Sequence, residues 1–126
     1  MVMITTEPID PRGAYDMIAS KNAGSVLFHY AVVKAQEGKA GVTCHIEYAV
    51  AGDAEEELRT IAKEIVSSWG VEDILLIRRM GRVGVGEIIS LVAVSSFASE
   101  DAFAACKSGI GRLKKMRCIV KNEVCG

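Results

Sequence analysis

The sequence predicts an α+β fold in which antiparallel strand pairs pack against helices. Three observations lead there. Apolar residues recur at helical spacing over 54–69 and from about Ser99 to Lys115. Apolar runs rich in β-branched residues occupy 25–33, 42–50, 72–81 and 87–96. The links inside each strand pair are short, polar or glycine-containing, as hairpin connections are. The order β-α-β-β-α-β-β-α-β, with adjacent strands hairpin-paired, reads as an α+β sandwich. A chain of 126 residues fits one domain, 1–126, able to bury a core.

From the N-terminus, Asp10-Pro11 reads as N-cap and first helical position of a helix running to about Ser20. The turn-prone Lys21 to Gly24 ends it. SVLFHYAVV (25–33) and VTCHIEYAV (42–50) suggest an antiparallel pair, joined by the polar, mobile loop KAQEGKAG. In the helix over 54–69, Leu58, Ile61, Ala62, Ile65, Val66 and Trp69 form one apolar face. Asp53 and Glu56 make a capping pair, Gly70 supplies the stop, and Trp69 anchors the core.

EDILLIRRMG (72–81) and EIISLVAVSS (87–96) follow as strands, with Gly81, Gly84 and Gly86 between them. No GK[ST] follows these glycines and no helix opens there, so they predict a turn or bulge rather than a phosphate loop. In the last helix Phe103, Cys106, Ile110 and Leu113 mark the expected buried face. Gly109 and Gly111 weaken it by about 1 kcal/mol each, which points to close packing or a ligand's approach. A short extended piece at RCIVKNE completes the order.

Half the residues are hydrophobic and a quarter charged, the balance of a folded protein rather than a disordered one. No apolar run reaches the length of a membrane helix, and MVMITTEPID lacks the basic start of a secretory signal, so the expected location is the cytoplasm. A net charge of −1 argues against broad electrostatic binding to nucleic acid. The cysteines at 44, 106, 118 and 125 form no CxxC pair, and His29 and His45 show no ligand spacing to them. Buried thiols in a reducing compartment are expected, with Cys125 exposed and no metal site.

The charge distribution is uneven. Lys107, Arg112, Lys114, Lys115, Arg117 and Lys121 fall in one stretch without an acidic residue. The plain reading is a solvated helix face; the sharper one is a site for a phosphate or carboxylate. Lysine amines serve as acids, bases or nucleophiles where burial or positive neighbours tune them. Lys114 closes a helix and Lys121 lies on the following extended segment, so a turn between them can bring both to one pocket wall. Arg112 and Lys115 flank them as candidate phosphate binders. Neither a Ser-His-Asp nor a paired-carboxylate constellation is present, since Glu55, Glu56 and Glu57 are a helix's first turn.

Several stretches also match one family in order and spacing. Phe28 to Val33 and Ile46-Glu47-Tyr48 correspond to a strand ending in GxVR and to a Leu-Glu-Tyr-like strand end. EEELRTIAKEIVSSWG corresponds to EKEL…IA…W-G, and RRMGRVGVGE at 78–87 to HRxGxLxxGE. VAVSSFASEDAFAAC corresponds to VAVSSPHRxxAFxAC, and IGRLKKMRCIVKNE to IDxLK…PIWKKE. From about Ala23 to Glu123 the chain resembles the large, catalytic subunit of molybdopterin synthase.

The resemblance implies an α/β-hammerhead-type fold with antiparallel sheet. It implies transfer of two sulfurs to cyclic pyranopterin monophosphate, forming the molybdopterin dithiolene. The donor is the thiocarboxylated Gly-Gly tail of a small ubiquitin-like sulfur-carrier subunit, which docks at each end of a homodimer to give a heterotetramer. No cofactor, membrane or nucleic acid enters that scheme. Lys114 and Lys121 match the family's two active-site lysines, with their seven-residue spacing intact. Lys114 takes the acid/base or covalent role and Lys121 substrate binding and activation, with Lys115, Arg112, Lys34 and Arg79 as further substrate-binding candidates. The chain departs from the pattern where the family arginine falls at Val33, its His-Arg at Ala98-Ser99, and its proline and tryptophan at Cys118 and Val120. Two alternatives follow: a non-catalytic paralogue serving as a dimeric or ubiquitin-like-protein-binding module, and a nucleotide- or nucleic-acid-binding module using the basic tail.

Overall fold

In the computed structural model, residues 1–35, 37–38 and 41–125 are described, with the side chains of all these except 37–38, 41–44 and 125. One four-stranded sheet has the order β1-β5-β7-β2, built from β1 (Val2–Thr5), β2 (Ser25–Val32), β5 (Val71–Arg79) and β7 (Ile88–Ser96). β1 lies parallel to β5, and the other pairs are antiparallel. In the second sheet β4 (Gly41–Val50) pairs with the two-residue β3 (Glu37–Gly38), with β6 (Gly81–Gly84) and with β8 (Ile119–Cys125).

Alternation along the strands of the first sheet separates two cores. One face carries Ile74, Leu76, Val92 and Val94 against α2 (Ala54–Ser68) and α3 (Ser99–Lys114). The other carries Leu75, Ile77, Leu91 and Ala93 against Ile9, Ala14 and Ile18. The chain crosses from the first sheet to the second between β5 and β6. There Met80 donates its N–H to the Thr5 carbonyl at 2.7 Å, and Gly81 takes φ +85°, a conformation suited to glycine. A third core of Val33, Ile46, Tyr48, Met80 and Val83 fills this junction.

The predicted α+β class with antiparallel sheets holds, and several local expectations change. The strands 25–33 and 42–50 are not partners: β2 pairs with β7, and β4 belongs to the other sheet. β2 packs Leu27 against one of the two cores it borders and Val26, Phe28 and Tyr30 against the other. The glycine stretch between β5 and β7 holds a strand of its own, β6, followed by a tight turn in which Glu87 N–H reaches the Gly84 carbonyl at 3.0 Å. The helix expected over 11–20 is a single turn, α1 (Pro11–Ala14), continued by a 3-10 turn at Tyr15–Met17. Part of the loop expected over 34–41 lies outside the described residues, as do the side chains of Cys44 and Cys125.

Phe103 is 64% exposed rather than buried. The buried stripe of α3 is Ala102, Ala105, Cys106, Gly109 and Leu113, so small residues face the sheet. A Cβ at Gly109 would come within 2.8 Å of Val92 Cγ1, which shows how closely helix and sheet approach. Cys106 is a core thiol whose pKa is raised by burial. Among the described residues no helix is long and apolar enough to cross a membrane, and no cluster of metal-ligating side chains occurs.

Candidate functional site

α3 ends on buried Leu113, and the next side chain, Lys114, emerges into solvent at the helix C-terminus, where positive charge is favoured. The following turn is held by α2. The Glu57 carboxylate accepts the backbone N–H groups of Arg117 at 2.8 Å and Cys118 at 2.9 Å, while Ala51 N–H donates to the Cys118 carbonyl at 2.9 Å. Burial alone would raise the Glu57 pKa; the two backbone donors outweigh it and hold the carboxyl below its usual range. β8 then runs antiparallel to β4 with Lys121 directly opposite Tyr48. A pinned turn and a fixed register thus bring Lys114 and Lys121 to one cleft of about 620 Å³.

This cleft opens beyond the end of α3, over the junction of the two sheets. Its polar lining includes Lys34, Arg78, Lys114 and Lys121, against a single carboxylate among the described residues, Glu123, which pairs with Lys121 at 3.2 Å. Arg78 is 7% exposed, and its guanidinium carbon stands 4.6 Å from the centroid of the buried Tyr48 ring. Burial lowers the Arg78 pKa and the neighbouring Tyr48 partly restores it. An arginine nevertheless stays charged in a protein. His29 also lines the cleft, with a buried Nδ1 that has no hydrogen-bond partner among the described residues.

The six residues singled out in the sequence separate into three places. Lys34, Lys114 and Lys121 share the cleft just described. Arg112 and Lys115 line a larger one, about 950 Å³, between α2 and α3. There Arg112 pairs with Glu64 at 2.8 Å and the Glu57 carboxylate contributes a further negative charge. Arg79 lies in neither. It is buried, pairs with Glu87 at 3.3 Å and donates to the Arg82 carbonyl at 3.3 Å, joining the β5–β6 crossing to the turn before β7. Cations outnumber carboxylates in the lining of both clefts, but only the smaller one holds Lys114 and Lys121 together and has a buried cation, Arg78, without an acidic partner among the described residues. Arg78 and Tyr48 were not singled out in the sequence. The available signal was the Arg78-Arg79 pair, since adjacent strand residues point to opposite faces.

The chain's likeness to known proteins bears on what this cleft does. A model of the family described as MoaE protein matches residues 4–116. The chain belongs to the MoaE family. A relative named molybdopterin synthase catalytic subunit, from Staphylococcus carnosus, is 33% identical over 123 residues, covering 96% of this chain and 81% of the relative. The crystal structure of molybdopterin synthase from Staphylococcus aureus superposes with a TM-score of 0.88 at 28% identity, covering 98% of this chain and 90% of that one. A complex of subunits 1 and 2 of the molybdopterin-converting factor from Helicobacter pylori contains a chain of the same fold, with a TM-score of 0.76 at 15% identity. That likeness covers 97% of this chain and 83% of its counterpart. As a MoaE protein, the chain is related to a catalytic subunit of the molybdenum cofactor pathway, and Lys121 lies just past the part that the family model matches.

Proposed function

We propose that this chain is the catalytic subunit of a molybdopterin synthase, with its reaction in the cleft that holds Lys114 and Lys121. The observation that carries the reading is the meeting of these two lysines, from different elements, in a cleft whose charge is predominantly positive. Both reactants of the family reaction are anionic. A pyranopterin phosphate and a thiocarboxylate tail each gain from fixed cations in a partly dry site. Lys114 serves as acid/base or covalent catalyst, and Lys121, tethered by Glu123, binds and activates substrate. Lys34, exposed in the same lining, adds a further positive charge.

The sulfur donor in this reading is a small ubiquitin-like subunit whose Gly-Gly tail enters the cleft. The Helicobacter pylori chain of the same fold was solved with both subunits of its converting factor. The homodimer and heterotetramer belong to the same reading. Arg112, Lys115 and Arg79 serve other ends in it: the first two face the α2–α3 cleft, and Arg79 ties β5 to the turn before β7.

Two departures from the family pattern differ in consequence. Val33, at the position of the family arginine, is buried in the cleft lining and takes a cation out of it. Ala98 and Ser99 stand at the opposite end of the 16-residue α3 from Lys114, about 24 Å away at helical rise. Their replacement leaves this chain's own cleft lining unchanged. The buried Val33 is the observation that favours the second reading, a non-catalytic module on the same scaffold.

Reconstitution separates the two. The protein is mixed with a thiocarboxylated small subunit and cyclic pyranopterin monophosphate, and molybdopterin is followed by its fluorescent oxidation product. Product formation is expected. A stable complex of the two proteins that yields no product would support the non-catalytic module.

A further inference from the structure

Arg78 is the least explained charge among the described residues. It lies on β5 in register with Ser90 of β7 and Ile4 of β1, within the hydrogen-bonded body of the sheet. The residue is more than nine-tenths buried, and its side chain lines the cleft beside Lys114 and Lys121. Its Nε is buried without a hydrogen-bond partner, and no carboxylate lies within ion-pairing distance among the described residues. The adjacent Arg79, equally buried, also has an unbonded Nε, but Glu87 answers its charge. Burying a charge is costly unless an opposite charge and hydrogen bonds compensate it. The Tyr48 ring, its centroid 4.6 Å from the guanidinium carbon, offers a cation–π contact but no opposing carboxylate. The compensating partner is therefore to be sought outside the chain.

A buried guanidinium lining an open cleft presents a planar fork of donors, the geometry that recognises an oxyanion through two parallel hydrogen bonds. Lys114 and Lys121 are exposed and stand nearer solvent, where flexible amines suit catalysis better than anchoring. We propose that Arg78 is a substrate-binding residue that grips the phosphate of the pyranopterin substrate at the base of the cleft. This rests on the synthase reading above. It supplies from β5 a guanidinium that position 33, occupied by Val33 in the same cleft, does not carry. Phosphate gripped at the base leaves the rest of the substrate toward the rim, between the two lysines and the route by which a partner's tail enters.

The direct test observes the Arg78 Nε–Hε signal by nitrogen-15 NMR in the wild-type protein during titration with inorganic phosphate at constant ionic strength. Arg78→Lys, which keeps the charge and removes the fork, assigns the signal by its disappearance. A saturable shift of that signal is expected. In the reconstituted synthase, Arg78→Lys should raise KM for the pyranopterin about ten- to a hundredfold, as loss of charge-assisted hydrogen bonds does. Its kcat and its Kd for the small subunit should stay near wild type. An Arg78 signal that ignores phosphate, or an unchanged KM, overturns the proposal. So does a loss confined to the small subunit's Kd, which would make the anion the partner's tail. The NMR titration needs no turnover, so it decides the role of Arg78 even if no molybdopterin forms. Product formation with a silent Arg78 would sink this inference alone.

Discussion

At the scale of single residues, the cleft holds charge that the fold does not require. Arg78 costs desolvation and receives from the protein only Tyr48. Replacing a buried charge by an apolar side chain of similar length is commonly neutral or stabilising, by about 1–4 kcal/mol. Arg78→Met is therefore expected to unfold in urea at an equal or higher midpoint than wild type while losing anion affinity. A midpoint drop equivalent to about 3 kcal/mol would mean the guanidinium holds the junction together. The role of Arg78 was not legible in the sequence. RRMG reads as the polar end of a strand, and only the sheet order shows which of the two arginines turns toward α3 and β4. The lysine pair was legible because its spacing spans one helix end, one turn and two strand residues, all local features.

At the scale of elements, α2 organises the turn that follows the Lys114 end of α3. Glu57 belongs to a first turn that the sequence explains by helix-dipole complementarity, yet its carboxylate also pins the turn between Lys114 and Lys121. Glu57→Ala should cost about 1–2 kcal/mol through the two freed N–H groups, measured by urea denaturation, and should lower sulfur transfer more than the stability loss explains. Glu57 and Glu87 both have folded pKa values below the usual range. For Glu57 the backbone donors outweigh burial; for Glu87 the Gly84 N–H leads, burial opposes it and Arg79 assists. Their contribution is fully present above the unfolded value, about 4.3, and fades as pH falls through the folded values. Tm should therefore drop on the acid side, and Glu57→Gln should flatten that drop; an unaltered acid limb would remove Glu57 as its source.

α3 shows why one helix face was misread. Phe103 fits an apolar repeat on paper, but the sheet lies too close to Gly109 for a bulky stripe. Ala102, Ala105 and Gly109 make that approach possible. Gly109→Ala gains about 1 kcal/mol of helix propensity, yet its Cβ meets Val92, a stiff buried side chain. Overpacking of about 1–3 kcal/mol should dominate, giving a net loss in thermal or urea unfolding. A stabilised Gly109→Ala would show that helix and sheet stand farther apart.

For the whole molecule, the site arises where two sheets meet. β5 leaves the first sheet at Met80, β6 enters the second at Gly81, and Tyr48, Val33 and Ile46 close the space between. The α+β class, both long helices and the antiparallel pairing of β5 with β7 could be read from periodicity and turn residues. The placement of β2 and β4 in separate sheets could not, because their partners, β7 and β8, come much later in the chain. That long-range pairing builds the cleft, so a sequence reading finds the lysines without finding what surrounds them.

The central claim is that Lys114 and Lys121 act together in this cleft, and single-turnover sulfur transfer from a thiocarboxylated small subunit tests it most directly. Lys114→Ala and Lys121→Ala should each lower the rate of molybdopterin formation by about a hundredfold or more, the scale of lost acid–base catalysis, while binding of the small subunit persists. Wild-type rates in both variants would contradict it.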